Sequence, residues 1–242
     1  MFTTELEVNT FDQLQINDKL KQVLKDNSYE SLTKIQRQAV PSILKNQNVV
    51  LKSETGSGKT LAYLVPLIEF LSKYSLTVKK IHREDSGTMA VIFSPTRELA
   101  IQIDLELRLL LKLFYYLVPT TLIGGESVSR EKSRLRKGCV ILICTPGRLL
   151  YHLQNTQCLK LDNLKYMIID EADRMLDMGF EKEMTSCLDL IKKKSAANFL
   201  ETEEDQKYWS DTIKINLVSA TIEDRVEQLG SRLMKSYEKV GF

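Results

Sequence analysis

Residues Ser53-Glu54-Thr55-Gly56-Ser57-Gly58-Lys59-Thr60 lie between an apolar run, Asn48 to Leu51, and a helix-like stretch that opens at Leu61. A strand, a loop of small residues and a helix in that order make a phosphate cradle. Glycine lets successive N–H groups turn inward onto one anion, and the helix presents the positive end of its dipole to the same anion. In that arrangement Lys59 reaches the β- and γ-phosphates of a nucleoside triphosphate, and the Thr60 hydroxyl ligates Mg²⁺. The general pattern opens with glycine, where this chain has Ser53. An ordinary strand-to-helix turn is the competing account, and a second feature bears on it.

That feature is Tyr166-Met167-Ile168-Ile169, apolar at every position as a doubly covered strand must be, ending in Asp170-Glu171-Ala172-Asp173. Ligands of open α/β sheets bind at the carboxyl ends of the strands. A carboxylate delivered there beside a phosphate loop holds the Mg²⁺ of the triphosphate, which is the part read for Asp170. Glu171, one residue on, is placed to orient or deprotonate the attacking water. A solvated helix start is the competing account of the acidic cluster.

The tetrad Asp170 to Asp173 reads D-E-A-D, and with it the chain resembles the DEAD-box RNA helicase family. The further motifs stand in the family's order: Pro95-Thr96-Arg97-Glu98-Leu99, Gly124-Gly125, Thr145-Pro146-Gly147-Arg148 and Ser219-Ala220-Thr221. The resemblance implies ATP and Mg²⁺ as cofactors, with residues 53–60 on the phosphates. It implies RNA-backbone contacts from Pro95, Thr96, Arg97, Gly125, Thr145 and Arg148. Coupling between the nucleotide and RNA sites falls to Asp173, Ser219 and Thr221. Gln36 and the upstream Phe11 match the segment in which an amide pairs with adenine and an aromatic stacks on it. The chemistry agrees, because one amide both donates and accepts as adenine's N7 and N6 require. A core aromatic is the competing account of Phe11. The chain departs from the family at Lys34, usually Pro, at Asn27-Ser28, where Gly is common, and at Ser53. Gly124-Gly125-Glu126, the run Glu131 to Gly138 and Asp177 to Lys182 look like the branch that acts in nucleolar assembly of the large ribosomal subunit. That likeness implies a nuclear, nucleolar location.

Alternating strand and helix signals predict an α/β fold, which the resemblance makes a RecA-like P-loop domain with a mostly parallel sheet and helices on both faces. Candidate strands are 48–51, 89–93, 120–123, 140–144, 166–169 and 214–218; helical runs include 61–71 and 99–113. Two stretches, 72–87 and 192–212, read as surface insertions, the second containing an acidic run and Trp209, taken as a packing anchor. Residues 1–46 are assigned to adenine recognition and 47–242 to the first RecA-like domain. With 242 residues the chain suits one such domain. The second RecA-like domain of the family, and its arginines, are expected outside it, so this chain alone is expected to be nearly inactive and monomeric.

No run approaches the length of a membrane span and the first ten residues have no signal-like apolar segment, which predicts a soluble intracellular protein. Four cysteines without C-x-x-C spacing read as free thiols, and two histidines are too few for a metal set. A net charge of +2 does not by itself demand a polyanion. Arg130, Lys132, Arg134, Arg136, Lys137 and Arg148 nevertheless crowd one region around Glu131, either as a solvated face or as a nucleic-acid patch. A rival reading of another class is an ATP-gated RNA clamp or assembly scaffold in which turnover is dispensable.

Overall fold

Strands buried on both faces set the architecture, seen here in a computed structural model that describes residues 8–45, 47–195 and 213–242. The sheet is made of β1 (Val49–Lys52), β2 (Ala90–Phe93), β3 (Pro119–Leu122), β4 (Ile141–Cys144), β5 (Tyr166–Ile169), β6 (Lys214–Ser219) and β7 (Glu238–Val240), of which β3 and β7 are the half-exposed edges. Every pairing is parallel and the order is β3-β4-β2-β5-β6-β1-β7. Side chains alternate between faces, so each central strand feeds two cores. Val49, Leu51, Ala90, Ile92, Ile141, Ile143 and Ile168 enter one. Val50, Val91, Phe93, Leu142, Met167 and Ile169 enter the other.

Parallel neighbours need crossovers, and helices supply them. Helices α1 (Asp18–Asp26), α2 (Lys34–Leu44), α3 (Lys59–Thr77) and α4 (Arg97–Leu110) pack on the first core. On the second lie α5 (Val128–Arg136), α6 (Pro146–Asn155), α7 (Ala172–Asp177), α8 (Glu181–Ser195) and α9 (Asp224–Leu233). The chain therefore has the α/β fold expected, with a parallel sheet between two helical layers. Residues that precede β1, among them Phe11, Leu20, Leu24 and Val40, belong to the first core.

Three readings of the sequence need correction. Stretch 72–87 is a surface segment only in part: α3 runs through it to Thr77 with Ser72 buried, residues 76–80 are exposed, and Ile81 and Ser86 are buried beyond them. An edge strand, β7, was not anticipated, because Glu238-Lys239-Val240 is three residues long and mostly polar. The basic cluster is partly neutralised, since Arg134 and Arg148 are ion-paired with Glu126 and Glu131. Of the second insertion, Lys192 to Ser195 continue α8, and 196–212, with Trp209, lie outside the described residues. Among the described residues no helix is long and apolar enough to cross a membrane.

Candidate nucleotide and nucleic-acid site

The sheet order puts β6 between β1 and β5, so the phosphate loop, Asp170 and Ser219 leave three adjacent strands at the same edge. The Ser53 N–H donates to the Ser219 carbonyl at 2.8 Å, continuing the ladder one residue past the strands. Gly58, at φ +90°, turns the loop into α3, and a Cβ there would stand 2.6 Å from the Gln36 amide nitrogen. Only glycine fits this corner. Ser53 and Ser57 hydroxyls share a hydrogen bond across the loop, and Ser57 Oγ donates to the Glu54 carbonyl.

Lys59 opens α3 and is 5% exposed. Its ammonium lies 3.3 Å from Asp170 Oδ1 and 3.2 Å from Glu171 Oε1, 8% exposed, while Asp170 is wholly buried. Buried charges need partners, and here one cation answers two carboxylates. Burial pushes the Asp170 carboxyl above its usual range; Lys59 and the Tyr63 hydroxyl oppose that and Glu171 adds to it. Glu171 itself sits in the left-handed region, φ +49° and ψ 53°, where a side chain other than glycine's is strained by about 1–3 kcal/mol. That turn lets its N–H reach Asp170 Oδ1 at 2.9 Å. Arg174, one turn on, pairs with Glu171 Oε2 at 3.2 Å.

Tyr63 was not anticipated as a site residue. Its hydroxyl donates to Asp170 Oδ2 at 2.8 Å from the interior of α3. In sequence it is one more apolar position of a buried helix, and nothing local marks the contact. Tyr63→Phe should lower stability by about 1.5–3 kcal/mol, the contribution of a hydrogen bond to a charged group. Chemical denaturation of the two proteins measures it.

A cavity of about 630 Å³ opens over this floor, in the range of small-molecule sites. Phe11, Gln36, Thr55, Gly56, Gly58, Lys59, Thr60 and Glu171 line it, and so do Tyr29, Gln102, Glu106 and Arg174, which the sequence reading did not single out. Gln36 completes a capping box at the start of α2: its Oε1 accepts from the Thr33 N–H at 2.9 Å, and its N–H accompanies this by donating to the Thr33 hydroxyl. Its Nε2 donates to the Gly58 carbonyl at 3.0 Å. One amide hydrogen and one lone pair remain for another partner. Phe11 belongs to the core and also lines the cavity. Two of the departures from the family fall where the backbone has a preference. Lys34 occupies the first helical position of α2, where proline is favoured, and Ser28 has φ +61°, where glycine is.

Asp173 joins the strand ends. Its Oδ2 accepts from the N–H and hydroxyl of Thr221 at 2.8 and 3.0 Å, and its own N–H donates to Ser219 Oγ at 3.2 Å. Burial would raise its carboxyl, but the N–H groups of Thr221 and Arg174 and the Thr221 and Ser219 hydroxyls prevail and hold it below the usual carboxylate range.

Beyond β2, β3 and β4, at the same edge, stand the remaining predicted residues. Thr96 caps α4 through a 3.2 Å bond from the Leu99 N–H, with Pro95 buried before it and Arg97 exposed. Gly125, at φ +75°, lies under the Arg97 guanidinium, which a Cβ would approach to 2.6 Å. Thr145 is the N-cap of α6, followed by Pro146. Arg148 is different. Its side chain is 18% exposed, with Nε donating to Glu131 Oε2 at 2.7 Å and Nη2 to the Glu126 carbonyl at 2.8 Å.

Strand order, phosphate loop and paired acids together define a RecA-like P-loop nucleotide-binding domain. A family profile described as DEAD/DEAH box helicase matches residues 33–229. This chain belongs to the DEAD/DEAH box helicase family. A Dictyostelium discoideum protein named ATP-dependent DNA helicase DDX31 is 42% identical over 229 residues, covering 94% of this chain and 23% of its own length. The ATP-dependent RNA helicase DBP7 of Scheffersomyces stipitis is 38% identical over 239 residues, covering 97% of this chain and 32% of its own. Among solved structures, a DEAD box protein from Methanococcus jannaschii superimposes with a TM-score of 0.76 at 31% identity, over 97% of this chain and 56% of that one. Mss116p bound to ssRNA and AMP-PNP gives 0.79 at 26% identity, over 97% and 44%. The chain thus spans a third or less of the curated relatives named here.

Proposed function

We propose that this chain is the ATP-binding domain of an ATP-dependent RNA helicase, whose second RecA-like domain lies in the remainder of the protein. The observation that carries it is the buried pairing of Lys59 with Asp170 and Glu171 under a nucleotide-sized cavity. A triphosphate entering that cavity offers Lys59 a stronger anion than either carboxylate. Lys59 turns to the phosphates and both acids are released for chemistry. The Thr60 hydroxyl and the Asp170 carboxylate are hard oxygen donors, too few for a protein-only cage and suited to Mg²⁺, which completes its shell with phosphate and water. Held by these two residues, the ion would supply neutralisation of phosphate charge. Glu171, oriented by Arg174, accepts the proton of the attacking water. Asp173, Ser219 and Thr221 connect that event to the β6 end.

On the RNA side, helix N-termini at Thr96 and Thr145 and the turn at Gly125 offer N–H groups and hydroxyls to phosphates. Such contacts read no base, so binding is to single-stranded RNA irrespective of sequence. The likeness at residues 124–126, 131–138 and 177–182 supports a nucleolar role in large-subunit assembly.

Adenine selection tests the reading. Gln36→Ala should weaken ATP binding by about 1–3 kcal/mol, the range for a bidentate base contact, with GTP nearly unchanged. Equal ATP and GTP affinities in the unaltered protein would remove Gln36 from that role.

A further inference from the structure

Arg148 is carried as an RNA contact by family resemblance alone, and its surroundings say otherwise. Glu131, on α5, is wholly buried, and its Oε2 accepts from Arg148 Nε at 2.7 Å and from His152 Nε2 at 2.8 Å. His152, also wholly buried, has Nδ1 2.8 Å from the Thr156 hydroxyl. With Nε2 donating to the carboxylate, Nδ1 accepts from that hydroxyl, so both ring nitrogens are satisfied by one tautomer. Glu131 Oε1 is buried with no hydrogen-bond partner, a costly arrangement for a residue with no task.

The far end of this chain of bonds is the glycine turn. Arg148 Nη2 holds the Glu126 carbonyl, one residue after Gly125. Arg134 grips the Glu126 carboxylate with both terminal nitrogens at 2.6 Å and the Thr121 carbonyl at 3.1 Å. The Arg97 guanidinium lies over Gly124 and Gly125. Two guanidinium groups therefore hold Glu126 beside a turn whose glycines have positive φ and no side chain to anchor them.

We propose that Glu131, backed by His152, is a positioning residue for RNA binding: it locks Arg148 onto the Glu126 carbonyl and so shapes the Gly124-Gly125 turn, and Arg148 acts through that turn rather than on phosphate. The inference rests on the RNA-backbone reading of the turn. Direct contact and positioning give opposite signs. If Arg148 meets phosphate, Glu131→Gln removes a competing negative charge and tightens RNA binding. If Arg148 is a clamp, the Gln carbonyl can still accept at the Oε2 position, but the charge that strengthens both bonds is gone and an amide NH2 is buried at the Oε1 position with no acceptor, so the clamp loosens and binding weakens.

The test uses the full-length protein, a fluorescent oligouridylate and a non-hydrolysable ATP analogue, with affinity measured across a salt series. Arg148→Ala and Glu131→Gln should each weaken RNA binding by about tenfold, the lower end for a lost charge-assisted hydrogen bond. The slope of log affinity against log salt should stay that of the unaltered protein, whereas a lost phosphate contact lowers it by about 0.7. Arg148→Lys should not rescue, because a lysine cannot bridge carboxylate and carbonyl at once, although it would serve as a point charge on phosphate. A merely structural defect would weaken the ATP analogue in parallel, and the inference expects RNA binding alone to move. Unchanged or tighter binding by Glu131→Gln, a lowered slope, or rescue by lysine overturns the inference. Should Glu131→Gln fail to fold, slope and lysine rescue decide it. No oligouridylate binding by the unaltered protein would instead overturn the RNA reading beneath it.

Discussion

Lys59→Ala should destabilise the nucleotide-free protein by about 3–5 kcal/mol, the cost of leaving buried charge without its partner. Asp170 is wholly buried and Glu171 nearly so, and both look to this one ammonium, with Arg174 helping Glu171 only. For a chain of this size that loss lowers the melting temperature by roughly 10 °C. The same substitution removes the countercharge of the phosphates, so added ATP should raise the melting temperature of the unaltered protein and leave that of Lys59→Ala where it was. Thermal unfolding with and without ATP and Mg²⁺ measures both. An unchanged melting temperature without nucleotide would mean that the three charges are not coupled in the resting protein.

The second large effect separates chemistry from binding. Glu171→Gln keeps the size of the side chain and a hydrogen-bonding oxygen for Lys59, but it cannot take a proton. ATP affinity should stay within a few-fold, while hydrolysis by the full-length protein falls about 10²–10⁴-fold, the usual share of a general base. Parallel loss of ATP binding would assign Glu171 a structural or metal-holding part instead. The clamp or scaffold reading is decided by the same variant, since a protein that needs no turnover tolerates it in the cell.

How much of this was legible in the residues depended on burial and on distance along the chain. The central strands were legible because sheets covered on both faces demand apolar runs, and Tyr166 to Ile169 was placed to the residue. Edge strand β7 was not, because a short polar edge strand is specified by its partner, β1, more than by itself. The end of α3 was misjudged where Ser72, Lys73, Ser75 and Thr77 make the helix look like loop, although Leu71 and Ser72 are buried against the core. Loop 53–60 and the acids Asp170 and Glu171 stood out because each is a contiguous motif, and the fold brings them together. Tyr63 and Asp170 meet across 107 positions, and Glu131 and His152 across 21, each pair joined only by the fold. Glu131 in particular read as a lone acid in a basic patch. The structure makes it the residue on which Arg148 is seated.

ATP turnover by the full-length protein, measured alone, with single-stranded oligouridylate and with single-stranded DNA of equal length, tests the central claim most directly. The RNA should accelerate hydrolysis several-fold or more in a Glu171-dependent way, with DNA leaving it near the unstimulated rate. Turnover indifferent to RNA, or stimulated equally by DNA, would contradict an ATPase coupled to RNA.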